Sequence, residues 1–380
     1  MKRKVLLIGG IVLAVLAVIA ILLGPAAPLL VRLGVEPICL QGDFPNIRIV
    51  ACSPAVAPIP LPTPAAQTPI PLIFDDDGSP DGMIALLYLL QHPHYDVVAV
   101  TISNGEAHPA VFAPQVAHLL AAASRPDIPV GSGRETPLVG DNAFPEPWRE
   151  ASDAFWDMDL PGDEPAATVV PAAELIVQTI NGADQPVTIF ASGPLTNVAE
   201  ALRLDPGLAE RIGEVVVMGG SIDVPGNIAP AWPAIDNRVA EWNIWVDPVA
   251  AGEVFTAGLP LRLMPLDSTN QITWSAADAR RWAGAGTPEG ELAGDLLIRL
   301  LDRWESGNAN LWDLAAATMV GEDRLCPEEA VGLGVVTAAG PEQGQTITTG
   351  QPANARVCLK PDAAQIKART EAMLAGEFPP

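Results

Sequence analysis

From Pro71 onward the chain alternates short apolar runs with longer helical stretches, and no other feature narrows the choice of fold so far. Leu72-Ile73-Phe74 reads as a strand that runs into acids. Ser79-Pro80 then supplies an N-cap with proline at the first helical position, and Met83 to Leu90 continues the helix. Further strands are expected at Asp96–Ile102, Ile128–Val130, Val187–Ala191, Val215–Met218 and Leu261–Met264. Helices are expected at Pro109–Ala123, Ala166–Ile180, Leu195–Leu204 and Pro248–Ala257. Strands separated by helices pair in parallel, because the crossover between parallel neighbours needs the length a helix provides. The expected fold class is α/β: an open, largely parallel doubly wound sheet flanked by helices. In such sheets ligands sit beyond the carboxyl ends of the strands. The polar clusters fall there: Asp75-Asp76-Asp77, Ser103-Asn104, Ser192-Gly193 and Gly219-Gly220.

Composition bounds the partners. Asp plus Glu number 45 against 21 Lys plus Arg, a formal charge of −24, which argues against nucleic acid or anionic lipid as a ligand. Hydrophobic residues make up 49% of the chain, too many for a disordered protein. Only 17% of residues are charged, so a tight acidic cluster carries information.

The N-terminus reads separately. Met1-Lys2-Arg3-Lys4 is a basic flank before an unbroken apolar run, Val5 to Gly24, about 20 residues long and enough to span a bilayer. Residues 1–24 are expected to be a single-pass anchor, with the bulk of the chain extracytoplasmic and the membrane contacted only through this helix. A cleaved signal peptide is the alternative, although its apolar core is usually shorter. Residues 25–70 then form a Cys-containing and Pro-rich linker, and residues 71–380 the folded domain. Outside the cytoplasm cysteines pair. Neighbourhood suggests Cys39–Cys52 and Cys326–Cys358, though three connectivities exist. A homo-oligomer stays open.

In Phe74-Asp75-Asp76-Asp77-Gly78-Ser79-Pro80-Asp81-Gly82, four carboxylates fall within seven residues at a strand end. Packed like charges repel unless a cation neutralises them, and hard oxygen donors suit Ca²⁺ or Mg²⁺. The plainer account is solvated acids, with Asp81 favoured by the helix dipole.

The opening is similar to two enzyme families. Asp75-Asp76-Asp77-Gly78 is close to the D-x-D-G of haloacid dehalogenase-like phosphatases, but their Lys and late acidic pair have no convincing match here. The rest of the chain resembles the nucleoside hydrolase family. Ser192-Gly193-Pro194-Leu195-Thr196-Asn197 looks like its GPLTN stretch, and Val216-Val217-Met218-Gly219-Gly220 like its MGG strand end. Glu241-Trp242-Asn243-Ile244-Trp245-Val246-Asp247-Pro248 is similar to its E-F-N-x-x-x-D-P segment. Pro265-Leu266-Asp267-Ser268-Thr269 resembles PLDVT, and Trp312-Asp313 the late H-D or W-D pair. The order fits from about Pro71 to at least Val320.

That resemblance implies hydrolysis of the N-glycosidic bond of ribonucleosides to ribose and free base, with Ca²⁺ as cofactor and a Ca²⁺-bound water as nucleophile. Asp77, Asp313 and the Ser192 carbonyl would ligate the ion, and Asp77 would take the proton of the attacking water. Asp81 and Asn104 would face the ribose hydroxyls. Asn227, Glu241 and Asn243 would hold its 3′ and 5′ ends, with Met218 against the sugar. Trp312 would stack on the base, which implies a purine-leaning enzyme, and Trp232 is a weaker candidate for the opposite face. Each has a plainer account: Glu241 and Asn243 as loop caps, Asn227 as a turn residue, Met218 and Trp312 as core. A non-catalytic, riboside-binding relative is the rival function.

One position departs from the family. Its opening motif ends in an acid that is Gly82 here. A gap in the alignment would let Asp81 take that role, but the ribose contact would then be lost; Asp76 is the other substitute, yet adjacent residues of an extended strand point apart. On that reading the ion is held weakly, and Gly82→Asp should strengthen it.

Overall fold

The computed structural model describes residues 69–162 and 169–376, and the backbone of residues 38–41 and 48–51. The apolar run Val5–Gly24, most of the linker and Cys52 lie outside the described residues. Among the described residues no helix is long and apolar enough to cross a membrane. Ile38–Gln41 and Arg48–Ala51 form an antiparallel pair, which belongs to a separate unit of the chain.

In the main unit the sheet has nine strands. In chain order they are β1 (Ile70–Asp76), β2 (Tyr95–Ile102), β3 (Val130–Ser132), β4 (Val170–Pro171), β5 (Val187–Ala191), β6 (Ile212–Met218), β7 (Leu261–Met264), β8 (Glu328–Val331) and β9 (Ala355–Cys358). Their order in space is β8-β9-β7-β6-β5-β1-β2-β3-β4. All neighbours are parallel except β8 and β9. The sheet winds from β1 through β2 to β4 on one side and from β5 outward on the other. The topological switch point therefore lies between β1 and β5, where a doubly wound sheet opens a crevice for ligand.

Both faces are covered, as the continuous apolar strands require. Leu72 and Phe74 of β1 pack with the helices Pro80–Leu90, Pro109–Ala122 and Pro288–Arg303, whereas Ile73 packs with Ala172–Gly182, Thr196–Leu204 and Pro248–Thr256. Each such side chain, fully buried, contributes roughly 1.5–3 kcal/mol.

Two expected elements move. The third strand starts at Val130, not Ile128, because Pro129 has no N–H for the ladder and offers only its carbonyl, which accepts from Val100 N at 3.0 Å. Residues 166–168 of the helix expected from Ala166 lie outside the described residues, and the helix is seen from Ala172. The residue before Pro171 is biased to extended backbone, and Val170–Pro171 pairs as the edge strand. The C-terminal segment closes the opposite edge through β8 and β9, and a disulfide joins Cys326 to Cys358.

Candidate active site

The site forms where β1 runs out. Within the strand, Asp75 and Asp76 alternate as pleating demands. Asp75 accepts from Thr101 Oγ1 at 2.6 Å and Asn197 Nδ2 at 2.8 Å. Asp76 turns the other way, taking Gly78 N on Oδ1 at 2.7 Å and Ser192 Oγ on Oδ2 at 2.8 Å. Asp77 lies past the last strand residue, so alternation no longer governs it. Its Oδ2 accepts from Glu106 N at 3.2 Å. Asp77 lines the cavity and Asp76 does not, but Asp76 reaches Ser192 of the lining, so the two lie closer in role than strict alternation predicts, because the strand ends between them.

The helix starting at Pro80 adds the next groups. Ser79 caps it, its Oγ accepting from Gly82 N at 2.8 Å. The same hydroxyl donates to Asp313 Oδ2 at 2.7 Å, and Asp81 Oδ2 accepts from Asp313 N at 3.1 Å. Asp77 and Asp313, 236 positions apart by 313 − 77, are thus drawn to one place.

These acids are buried, and no Lys or Arg among the described residues forms an ion pair with them. Burial first, then Asp76 and Glu106, pushes Asp77 well above the carboxylate range. Burial, then Asp81, Asp76 and Asp77, does the same to Asp313. Burial raises Asp76 to about 7 and Asp81 to about 6. Glu106 is raised to about 8 by burial, then by Asp81 and Asp76, against a smaller pull from Arg303.

Across the crevice the residues expected to hold ribose assemble around β5 and β6. Glu241 is a helix cap, accepting from Asn243 N at 2.9 Å and Ile244 N at 3.2 Å, and its Oε2 also takes Gly220 N at 3.0 Å. Asn243 Nδ2 donates to the carbonyls of Ser192 at 3.0 Å and Met218 at 3.1 Å. Asn227 Oδ1 accepts from Trp242 N at 3.2 Å. All four line the cavity, so for Glu241 the capping and lining roles coincide. Asn104 does not line it; it is buried at the end of β2 with Oδ1 lacking a partner.

The cavity measures about 710 Å³, within the range of small-molecule sites. Aromatic rings dominate its walls: Phe144, Trp148, Trp156, Trp242, Trp304 and Trp312. Trp312 is held by Nε1 donating to Asn270 Oδ1 at 2.8 Å, with its ring 6.2 Å from that of Trp304. Trp232 is not in the wall. It packs edge-on behind Trp148, at 6.0 Å. Trp156 arrives on three successive left-handed residues, Phe155, Trp156 and Asp157, with φ of 48°, 52° and 58°. Such backbone costs roughly 1–2 kcal/mol per residue and concentrates at functional sites. Arg299 Nη1 braces it, donating to Trp156 O at 3.3 Å and Asp157 O at 2.7 Å.

Sequence reasoning missed Glu106, Arg303 and every wall aromatic except Trp312. The only available signals were Glu106, two residues past Asn104, and Trp242, beside Asn243.

A divalent ion suits this donor set. Among the described residues no three acidic, His or Cys side chains form a ready-made metal cage. The donors are nonetheless hard oxygens that repel one another, which is what such a cation relieves. Small residues keep the space open. A Cβ on Gly105 would lie 2.6 Å from Asp77 Cγ, and one on Gly193 2.8 Å from Asp77 Cβ. Asp77, Asp313 and the Ser192 carbonyl are the residues that would hold it.

A family model described as inosine-uridine preferring nucleoside hydrolase matches residues 72–368. A pyrimidine-specific ribonucleoside hydrolase, RihA, of Salmonella agona is 32% identical over 308 residues, covering 77% of this chain and 94% of that protein. Among solved structures, the plant nucleoside hydrolase PpNRh1 is 25% identical at a TM-score of 0.70, covering 81% of this chain and 99% of that one. A purine-preferring ribonucleoside hydrolase from Gardnerella vaginalis, 22% identical at a TM-score of 0.72 with the same coverage, shares the fold.

Proposed function

The chain belongs to the inosine-uridine preferring nucleoside hydrolase family and is an N-glycosyl hydrolase, and from that premise we propose that it cleaves purine-leaning ribonucleosides at a Ca²⁺-dependent site between β1 and β5. The observation that carries this is the group of buried carboxylates without an ion-pair partner among the described residues: Asp77, Asp81 and Asp313 line an aromatic cavity, and Asp76 is hydrogen-bonded to Ser192 of the same lining. Ca²⁺, when bound, supplies positive charge that makes a neighbouring water easier to deprotonate. Water oxygen bonds to ribose C1′ while the bond from C1′ to the base nitrogen breaks and its electron pair leaves with the base. Asp77 takes the water's proton. Asp81 orients the ribose hydroxyls, and Glu241 and Asn243 grip the other edge of the sugar. The oxocarbenium character of such a transition state is favoured by surrounding carboxylates.

The wall aromatics favour a large flat base, and Trp312 is placed to stack on it. The name of the Salmonella relative points instead to pyrimidines. Ribose release from inosine, adenosine, guanosine, uridine and cytidine, with Ca²⁺ and with chelator, tests both parts. Higher kcat/KM for pyrimidines would reverse the base preference, and undiminished turnover under chelation would remove the ion.

We also propose that the domain works outside the cytoplasm on an N-terminal membrane anchor. The apolar run Val5–Gly24 behind its basic flank and the Cys326–Cys358 disulfide support this. Protease treatment of intact cells should digest the domain; full protection would place it inside.

A further inference from the structure

Gly82 stands where the family pattern has an acid, and a carboxylate from β1 fills the space beside it. A Cβ built on Gly82 would overlap Asp76 Oδ2, and would lie 2.6 Å from Asp76 Cγ and 2.7 Å from Ser79 Oγ. Real Cβ atoms do not approach other heavy atoms so closely. The Asp76 carboxylate therefore already occupies the volume from which a side chain at 82 would start.

It is fixed there. Gly78 N holds Oδ1 and Ser192 Oγ holds Oδ2, at 2.7 and 2.8 Å. Ser192 also carries one of the oxygens assigned to the ion, so Asp76 abuts a proposed ligand. The side chain is fully buried, and no basic group among the described residues forms an ion pair with it. Its charge is felt by Asp77, Asp313 and Glu106.

We propose that Asp76 supplies, from the end of β1, the ion-facing carboxylate that the family pattern carries at position 82, and that residue 82 is glycine because Asp76 occupies its space. The inference rests on the ion reading above and names a ligand for it that the family pattern lacks. It also reverses the expectation that an acid added at 82 would help. With Asp76 in place, a second carboxylate there has no room and adds like charge.

The experiment is a swap, read by Ca²⁺ calorimetry and by the Ca²⁺-dependent rise in Tm of the full-length protein. Asp76→Asn keeps the shape and loses the charge. It should weaken Ca²⁺ binding at least 10-fold. Gly82→Asp alone should also weaken binding. The double variant Asp76→Ala with Gly82→Asp should recover to within a few-fold of wild type, because the carboxylate is restored from the other backbone position. Wild-type affinity in Asp76→Asn would overturn the inference while leaving the ion reading intact, and so would tighter binding in Gly82→Asp alone. A double variant that melts cooperatively but does not recover would overturn the exchange. Absence of Ca²⁺ binding in the wild type would overturn both ideas, and ribose release under chelation would then show that hydrolysis stands without them.

Discussion

Around the buried Arg262 in β7, half-buried acids come with their own counter-charges. Its Nε donates to Glu328 Oε1 at 2.6 Å, and Arg356 joins Glu328 at 3.3 Å and Glu214 at 2.7 Å. At and beyond the end of β1, Asp76, Asp77, Asp81 and Asp313 are more deeply buried, yet none forms an ion pair with Lys or Arg among the described residues. A buried charge that brings its partner can be purely structural. Buried charges of one sign are tolerated only if something outside the chain neutralises them. The first region belongs to the fold, and the second is kept for a ligand.

The comparison is sharpened most by removing acids from the second region. Asp77→Ala and Asp313→Ala should each lower ribose release by more than about 10³-fold and abolish Ca²⁺ retention. Neither should destabilise the ion-free protein, because each removes a repulsion. Full activity in Asp313→Ala would take that residue out of the site.

Removing charge from the first region should do the reverse. Arg262→Met takes from Glu328 and Glu214 one of their two counter-charges, leaving Arg356, and should cost about 1–3 kcal/mol of stability. Ca²⁺ affinity of the folded protein should not change. Urea unfolding beside calorimetry checks this, and equal losses in both readouts would erase the distinction between the regions.

The two regions also differ in how far the sequence revealed them. The acids around the end of β1 fall within seven residues, and their place at a strand end follows from local pattern alone. Asp313 was reachable only through the resemblance, since nothing local in Trp312-Asp313 shows that Ser79 and Asp81 will meet it. The alternation of strands and helices located most of the sheet. It did not reveal β4, which is only two residues long and owes its existence to its pairing partner. Nor did it show that Asp76 fills the space above Gly82. That depends on β1 ending between Asp76 and Asp77, and boundaries are where sequence reading is weakest. The aromatic walls come from segments far apart in the chain, so no window of sequence contains them.

The regions should part again with pH. Burial raises Asp76 from 3.8 to about 7, with smaller pushes from Asp81 and Asp75, and burial alone raises Asp81 from 3.8 to about 6 against hydrogen bonds that favour its charged form. A carboxyl whose folded pKa exceeds its unfolded one binds more protons in the folded state. Its contribution to stability is complete below the unfolded value and is lost as pH rises through the folded one. Ion-free protein should therefore weaken between about pH 4 and about pH 7, and the rise in Tm on adding Ca²⁺ should grow across the same window. Thermal melts with chelator and with Ca²⁺ measure both trends, and a chelated profile that is flat through the window would show that these acids are neutralised from within.

The smallest effect concerns the cavity wall above the acids. Trp312 precedes Asp313, so its indole either recognises the base or merely positions the carboxylate that follows. Its Nε1 is tied to Asn270, which holds the ring half-buried at the cavity edge rather than in the core. Stacking of this kind contributes about 0.5–1.5 kcal/mol, a factor of roughly 2–12. Trp312→Ala should lower kcat/KM for purine nucleosides by that factor and for pyrimidine nucleosides by less, since the smaller ring offers less overlap. Trp312→Phe should recover part of the loss. Ca²⁺ affinity should be unchanged in both, because Asp313 keeps its bonds to Ser79 and through its backbone to Asp81. Losses equal for every nucleoside, accompanied by weaker Ca²⁺ binding, would make Trp312 a support for Asp313 and would move it from the ligand's region to the fold's.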